Sequence, residues 1–169
     1  MEVTARMRNT SDERYAHNNT VFGKILRGEE KATIVYEDDL VIGFKDIKPA
    51  SKHHYLVIPK KHIQHAGYLK PHDLPLLKRM VKAARIISED QCHLSKESID
   101  QELSSGNLSF GFHRFPLITV RHLHLHVIHP MPAKSCFFRM LFPKSFGWFY
   151  FSPEEAAHTY CGADKNCRL

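Results

Sequence analysis

The sequence predicts an α+β domain folded around an antiparallel sheet. Three observations carry that class. Short β-rich runs are separated by turn residues, as in ATIVYEDDLVIGFKDI at 32–47. Residues 71–92 place apolar side chains at 76, 77, 80, 81, 84 and 87, the spacing of one helix face. The elements run helix, strand, strand, strand, helix, strand, strand, which segregates helices from a meandering sheet.

Taken in order, residues 1–17 are polar, lack a sustained apolar period and read as a flexible arm. NNTVFGKILRGEE, 18–30, reads as a short helix. Asn19 or Thr20 offers a cap, Phe22, Ile25 and Leu26 form one apolar face, and Gly28 is the stop. Runs 33–36 and 40–46 flank Glu37-Asp38-Asp39 as a hairpin, and Pro49 ends the second strand. HHYLVIP, 53–59, is a third strand halted by Pro59. The main helix occupies 71–92 and starts near Asp73. SKESIDQELSSGN, 95–107, is a polar connection with room for a helical turn. LSFGFH, 108–113, and VRHLHLHVI, 120–128, are the last two strands, the second ended by Pro130 and Pro132. Eight aromatics then crowd between Phe137 and Phe151. SPEEAAHTY, 152–160, opens a short final helix with Ser152 as cap and Pro153 at its first position.

With 169 residues, 43% of them hydrophobic, the chain is one domain that buries a core without staples. The formal charge of +6 suits an anionic ligand but is modest for a dedicated nucleic-acid binder. Cys92, Cys136, Cys161 and Cys167 form neither a C-x-x-C pair nor a disulfide framework. Together with a polar N-terminus, this points to a reducing setting, cytoplasmic or nuclear. No run of about 18 apolar residues offers a membrane span.

Residues 121–130, RHLHLHVIHP, carry the chemistry. On a strand, His122, His124 and His126 share one face, while Leu123, Leu125 and Val127 share the other. The aliphatic face needs a core, so the histidines look toward a cleft. Same-face neighbours sit roughly 6.7 Å apart. That spacing disfavours one zinc held by all three, since zinc takes nitrogen at about 2.0–2.1 Å. It suits separate imidazoles acting along a line of atoms, such as a phosphate ester and its leaving group.

The run HLHLHVI, with the form His-φ-His-φ-His-φ-φ, resembles the signature of the histidine triad (HIT) superfamily. FKDIKPA at 44–50, HHYLVIPKKHI at 53–63 and GFH at 111–113 resemble its Hint branch, most of all the third type. The likeness spans about residues 20–150. It implies a HIT-like fold over 18–152: a five-stranded antiparallel sheet with a main helix and a short N-terminal helix. A C-terminal helix and tail, 153–169, follow. It also implies a homodimer with a ten-stranded sheet, for which Leu76, Met80 and Ala84 offer one contact face.

The same resemblance implies a hydrolase, needing no cofactor, that acts on purine nucleoside 5′-monophosphate derivatives. P–N-linked AMP is the expected substrate class. His124 matches the nucleophile, whose attack on the α-phosphorus forms a nucleotidyl-histidine. His126 matches the position beside the leaving group, His122 the first and orienting triad member, and His54 a fourth histidine. Asp46 and Ile47 match the pair beside the ribose, and Phe44 and Phe22 the apolar positions around the base. Ordinary core packing is the alternative for both phenylalanines. Thr119 takes the place of a phosphate-contacting serine.

The chain also departs from the common pattern. Its loop HRFPLITV, 113–120, lacks glycines, and Gly111 stands where the common form has asparagine. His113 or Arg114 offers another phosphate contact. Thr20-Val21-Phe22-Gly23 replaces a zinc-binding C-x-x-C, so no metal is expected and His62 keeps a structural role. His53 falls on the opposite strand face, solvated or at a subunit contact. The aromatic tail packs on the domain or a second subunit, or else forms a partner or membrane-surface patch. Beside the phosphoramidase stand hydrolases of adenylyl sulfate or dinucleoside polyphosphates and a non-catalytic nucleotide-binding scaffold. An H-x-H metal enzyme lacks a carboxylate third ligand at sensible spacing, and a nucleic-acid repair relative lacks a convincing zinc module.

Overall fold

A computed structural model describes residues 15, 17–114, 117–131, 150–164 and 169. Most of the expected arm, and residues 137–149 of the aromatic run, lie outside the described residues. The described part is an antiparallel sheet with helices on both faces. α1 spans Val21–Arg27, β1 Ile34–Glu37, β2 Val41–Lys45 and β3 His53–Pro59. α2 spans Leu74–Cys92, α3 Lys96–Ser105, β4 Ser109–His113, β5 Leu125–His129, β6 Tyr150–Phe151 and α4 Pro153–Cys161. The sheet order is β1-β2-β3-β5-β4-β6, so it has six strands where five were expected.

The local signals behave as their chemistry requires. Thr20 caps α1 by accepting from the Gly23 amide, and Gly28 ends it at φ 77°. Ser152 caps α4 and forms a capping box with Glu155. α3 replaces the expected polar connection. Ser95 caps it, Gly106 closes it at φ 82°, and Ile99 is its one fully buried residue. A helix so polar shows no hydrophobic period, which is why the sequence pattern hides it.

Two cores sandwich the sheet. On one face Val41, Val57, Leu123, Leu125 and Val127 pack with Leu77, Met80, Ala84 and Ile87 of α2. On the other, Phe22, Ile25 and Leu26 of α1 pack on Ile42, Phe44, Leu56 and Ile58. Tyr15, within the expected arm, joins this second core at 7% exposure. Met80 and Ala84 are wholly covered by the chain itself. Two of the three residues expected to meet a second subunit are therefore spent on the chain's own sheet, and Leu76 is half-buried.

The fifth strand is shorter than expected and begins at Leu125. Residues 120–124 leave the ladder: the His122 amide turns back to the Val120 carbonyl, and the Leu123 amide bonds the Ile63 carbonyl at 2.7 Å. The aliphatic-inward, histidine-outward alternation survives because Leu123 stays anchored in the core. No described helix is long and apolar enough to cross a membrane.

Candidate active site

The site lies on the α1 face of the sheet, where β5 meets β3 and β4. His126 faces Leu56 on one side and Gly111 on the other. His54 pairs with Ile128, which places it diagonally beside His126. His122 and His124 precede the strand, and the ring centroids of His124 and His126 are 5.0 Å apart. The two rings meet edge to face, and with His124 off the strand the row is tighter than strand spacing suggests. A small cleft lined by His65, His113, Ile118 and His124 opens onto it. A wider groove lined by Asp38, Leu40, Pro75, Lys78, Arg79 and Lys82 contains none of these histidines.

Hydrogen bonds decide which nitrogen of each ring carries the proton. His124 Nδ1 lies 2.6 Å from the His122 carbonyl. A carbonyl only accepts, so Nδ1 holds the hydrogen and Nε2 keeps a lone pair. His122 Nε2 donates to the Pro59 carbonyl at 2.8 Å, so its Nδ1 accepts from the Asn18 side-chain amide at 2.7 Å. Asn18 is oriented in turn, because its Oδ1 accepts from the Thr20 hydroxyl at 2.7 Å. The Thr20–Asn18–His122 chain thus fixes the ring of the residue whose carbonyl aims His124.

A second chain runs through His54. The Ala50 amide donates to His54 Nδ1 at 2.9 Å, so His54 carries its proton on Nε2. That nitrogen lies 2.9 Å from His126 Nδ1 and 3.5 Å from Asp46 Oδ2. His126 Nδ1 therefore accepts, and in the neutral ring Nε2 carries the hydrogen. The two central imidazoles are in opposite tautomers. His124 offers a lone pair and His126 a donor.

Burial keeps these rings neutral. It holds His54 and His122 down to about 4, and lowers His124 although the His122 carbonyl and Asp46 pull it back. His126 falls well below its usual value, first through burial and then through the neighbouring His124, His113 and His54. Burial raises Asp46, opposed by the Lys48 amide and His124.

The remaining expected residues sort clearly. Asp46 reaches the site, its Oδ1 accepting from the Lys48 amide at 2.8 Å. Ile47 is 92% exposed beside it. Phe22 and Phe44 are buried edge to face at 5.5 Å, and Phe22 also lies 5.4 Å from His124. Thr119 is exposed in the segment before the row. His113 comes within 4.5 Å of the His126 ring, whereas Arg114 lies 4.4 Å from the Phe151 ring centroid. Phe151 packs in the α2-side core, so Arg114 serves the other face. His53 lies on that face too, 6.2 Å from His129. His62 donates to the Arg121 carbonyl at 2.9 Å, bracing the turn before His122.

Two residues escaped the sequence reading. Asn18 lies just ahead of the residues read as cap candidates, and only the fold brings it to His122, 104 positions away. Tyr150 sits in the aromatic run, where no period marks it out. No sequence signal marked Asn18; only the fold shows that Gly23 lacks a side chain where the Asn18 carbonyl comes close.

Tertiary structure does supply the carboxylate that spacing did not. Asp46, His54 and His126 form one compact group of metal-ligand type, and His113, His124 and His126 another. The tautomers oppose a cation in either. His54 Nε2 carries a proton, His126 Nδ1 is engaged by it, and His126 Nε2 carries a proton in turn. Binding a metal would require breaking the Ala50–His54 hydrogen bond.

Fold and site together define a class: an antiparallel-sheet protein presenting a neutral imidazole lone pair beside an imidazole donor, the arrangement of a histidine triad. A family model described as "Scavenger mRNA decapping enzyme C-term binding" matches residues 19–140. The adenosine 5′-monophosphoramidase HINT3 of Xenopus tropicalis is 33% identical over 136 residues, 79% of this chain and 82% of that protein. The bifunctional adenosine 5′-phosphosulfate phosphorylase/adenylylsulfatase HINT4 of Arabidopsis thaliana is 35% identical over 108 residues, 63% of this chain and 66% of that protein. Among solved structures, a HIT family hydrolase from Clostridium thermocellum superposes with a TM-score of 0.57 at 31% identity, covering 70% of this chain and 96% of its own. The chain belongs to the histidine triad superfamily.

Proposed function

We propose that this protein hydrolyses purine nucleoside 5′-monophosphoramidates through a nucleotidyl-histidine on His124. The observation that carries the reading is the 2.6 Å bond from His124 Nδ1 to the His122 carbonyl, which frees Nε2 as a neutral nucleophile. Nε2 attacks the α-phosphorus and the P–N bond breaks. The departing nitrogen needs a proton, and His126 Nε2–H is the group placed to deliver it. An empty site holds its histidines neutral, but an anionic phosphate beside them favours a bound proton on the His54–His126 pair. That proton leaves with the amine. Water then attacks the intermediate and returns a proton to the pair. Asp46 accepts from the ribose hydroxyls, and Phe22 and Phe44 border the base with Ile47 as an exposed flap. The Xenopus relative's name agrees with this substrate class.

Adenylyl sulfate is the second reading, favoured by the Arabidopsis relative's name. A homodimer in a cytoplasmic or nuclear setting belongs to the proposal. Its contact must leave Met80 and Ala84 to the core, and light scattering on the full chain reads it directly. The deciding assay incubates wild type and His124→Ala with adenosine phosphoramidate, adenylyl sulfate and a dinucleoside polyphosphate. Release of AMP from the phosphoramidate by wild type alone supports the reading. Binding without turnover on every substrate leaves a nucleotide-binding scaffold.

A further inference from the structure

The site has a wall that the histidines do not explain. β6 pairs with β4 in the register Phe112↔Phe151 and His113↔Tyr150. This puts Tyr150 on the histidine face at 6% exposure, packed with Ile128 and, more loosely, Ala50 and Met131. Its ring centroid lies 5.5 Å from His113 and 6.4 Å from His126, and its hydroxyl lies 3.1 Å from Ser109 Oγ. A Cβ on Gly111 would collide with Tyr150 Cζ. Glycine at 111 is thus required by space: its missing side chain is the seat of the Tyr150 ring, directly across from His126. Phe151, on the other face, is held by Phe112 and Tyr160, and the Ser152 cap starts α4 immediately after. The tyrosine is therefore anchored from both sides.

We propose that Tyr150 is a positioning residue that seats His113 against His126, and that the Tyr150–His113 wall selects the leaving group. This rests on the hydrolase reading above. The two halves of the site lie at opposite ends of the sheet. Asp46 and Phe44 come from the β2 side, His113 and Tyr150 from the β4–β6 side, with His124 and His126 between them. Displacement at phosphorus is in line, so the leaving group departs opposite the attacking His124 Nε2. His126, its proton donor, has His113 and Tyr150 packed against it, so the leaving group meets that wall. The wall there shows an aromatic ring whose hydroxyl is already engaged by Ser109, and an imidazole. Arg114, the adjacent cation, is on the opposite face over Phe151. Such a wall fits an amine with an apolar or aromatic body, and among the described residues it sets no fixed cation for a sulfate.

The test uses the full chain and four proteins: wild type, Tyr150→Phe, Tyr150→Leu and Tyr150→Ala. Leucine keeps apolar bulk if the alanine variant fails to fold. The first readout is independent of turnover: imidazole NMR titration of His126 in the free protein. Tyr150→Phe is expected to hold its low value, and Tyr150→Leu and Tyr150→Ala to move it up toward the ordinary range. The second is kcat/KM for AMP linked through its phosphorus to an arylamine, a small alkylamine or sulfate. The preference of wild type for arylamine over sulfate is expected to shrink at least about tenfold in the leucine and alanine variants and to be kept by Tyr150→Phe. An unmoved His126 titration overturns the seating of the ring. Equal losses on all three substrates overturn the selection of leaving group. A wild type silent on every substrate instead defeats the hydrolase reading, and takes the leaving-group role with it, while the titration still decides the seat.

Discussion

The proton positions on the imidazoles trace back to backbone groups, directly for His54, His122 and His124 and through His54 for His126, and that is where the chemistry is decided. The His122 carbonyl and the Ala50 amide put His124 and His126 in opposite tautomers. The carbonyl acts on His124 directly and the amide acts on His126 through His54, and both are held by residues further away, so single changes at a distance have sharp consequences. Asn18→Ala leaves His122 Nδ1 buried without its donor, a cost of about 1–3 kcal/mol. It also frees the His122 segment to shift the carbonyl under His124. The expected result is a clear fall in kcat with KM little changed, read by steady-state kinetics beside a denaturant melt. Proton uptake follows from the same burial. A site whose histidines are neutral when empty is expected to take up close to one proton when AMP binds below pH 7, measurable by calorimetry in buffers of differing ionisation enthalpy. The triad itself was legible in the sequence because alternation with Leu123, Leu125 and Val127 sorts the faces. Asn18 was not, because polar contacts across 104 residues leave no local pattern.

Elements matter here as carriers of those contacts. α1 is only seven residues long, but it holds Phe22 against His124 and brings Asn18 under its own first turn. Gly23→Ala would drive a Cβ into the Asn18 carbonyl, so a loss of about 1–3 kcal/mol and a kcat defect like that of Asn18→Ala are expected. A variant with unchanged melting and turnover would show that Asn18 does not need this approach. At the other end, Ser152→Ala removes the α4 cap at about 1 kcal/mol and is expected to raise hydrogen exchange across 150–161. β3 was read to the residue, since proline closes it and the hydrophobic run fills it. α3 and β6 were not. One is polar on nearly every side, and the other is a two-residue strand defined wholly by its partner β4.

At the scale of the whole molecule, the two cores are built so that four imidazoles are desolvated together. The cost appears in the pH dependence of stability. His54 and His122 titrate at about 4 when folded and near 6.5 when unfolded. Between those values the unfolded chain binds more protons, so stability is complete above about pH 6.5 and falls as pH drops to about 4. Each ring contributes on the order of 3 kcal/mol to that fall. Urea melts from pH 4 to 8 are expected to show this slope, and His122→Asn to flatten part of it. Burial also lowers His124, so the acid limb of kcat/KM, where its Nε2 lone pair is lost, is expected below the ordinary histidine range. Composition and strand pattern were enough to give the α+β class. They could not show that α2 spends Met80 and Ala84 on its own sheet, nor that β6 takes the edge of β4 at 112–113. Both depend on which distant segment the fold brings to an apolar face or an open edge.

The central claim is that His124 Nε2 attacks phosphorus, and rapid quenching of wild type with adenosine phosphoramidate, followed by peptide mass spectrometry, tests it most directly. One adenylyl group is expected on His124, absent in His124→Ala, whose turnover falls at least about a thousandfold. Undiminished turnover in His124→Ala, or adenylyl label on another residue with His124 bare, would contradict it.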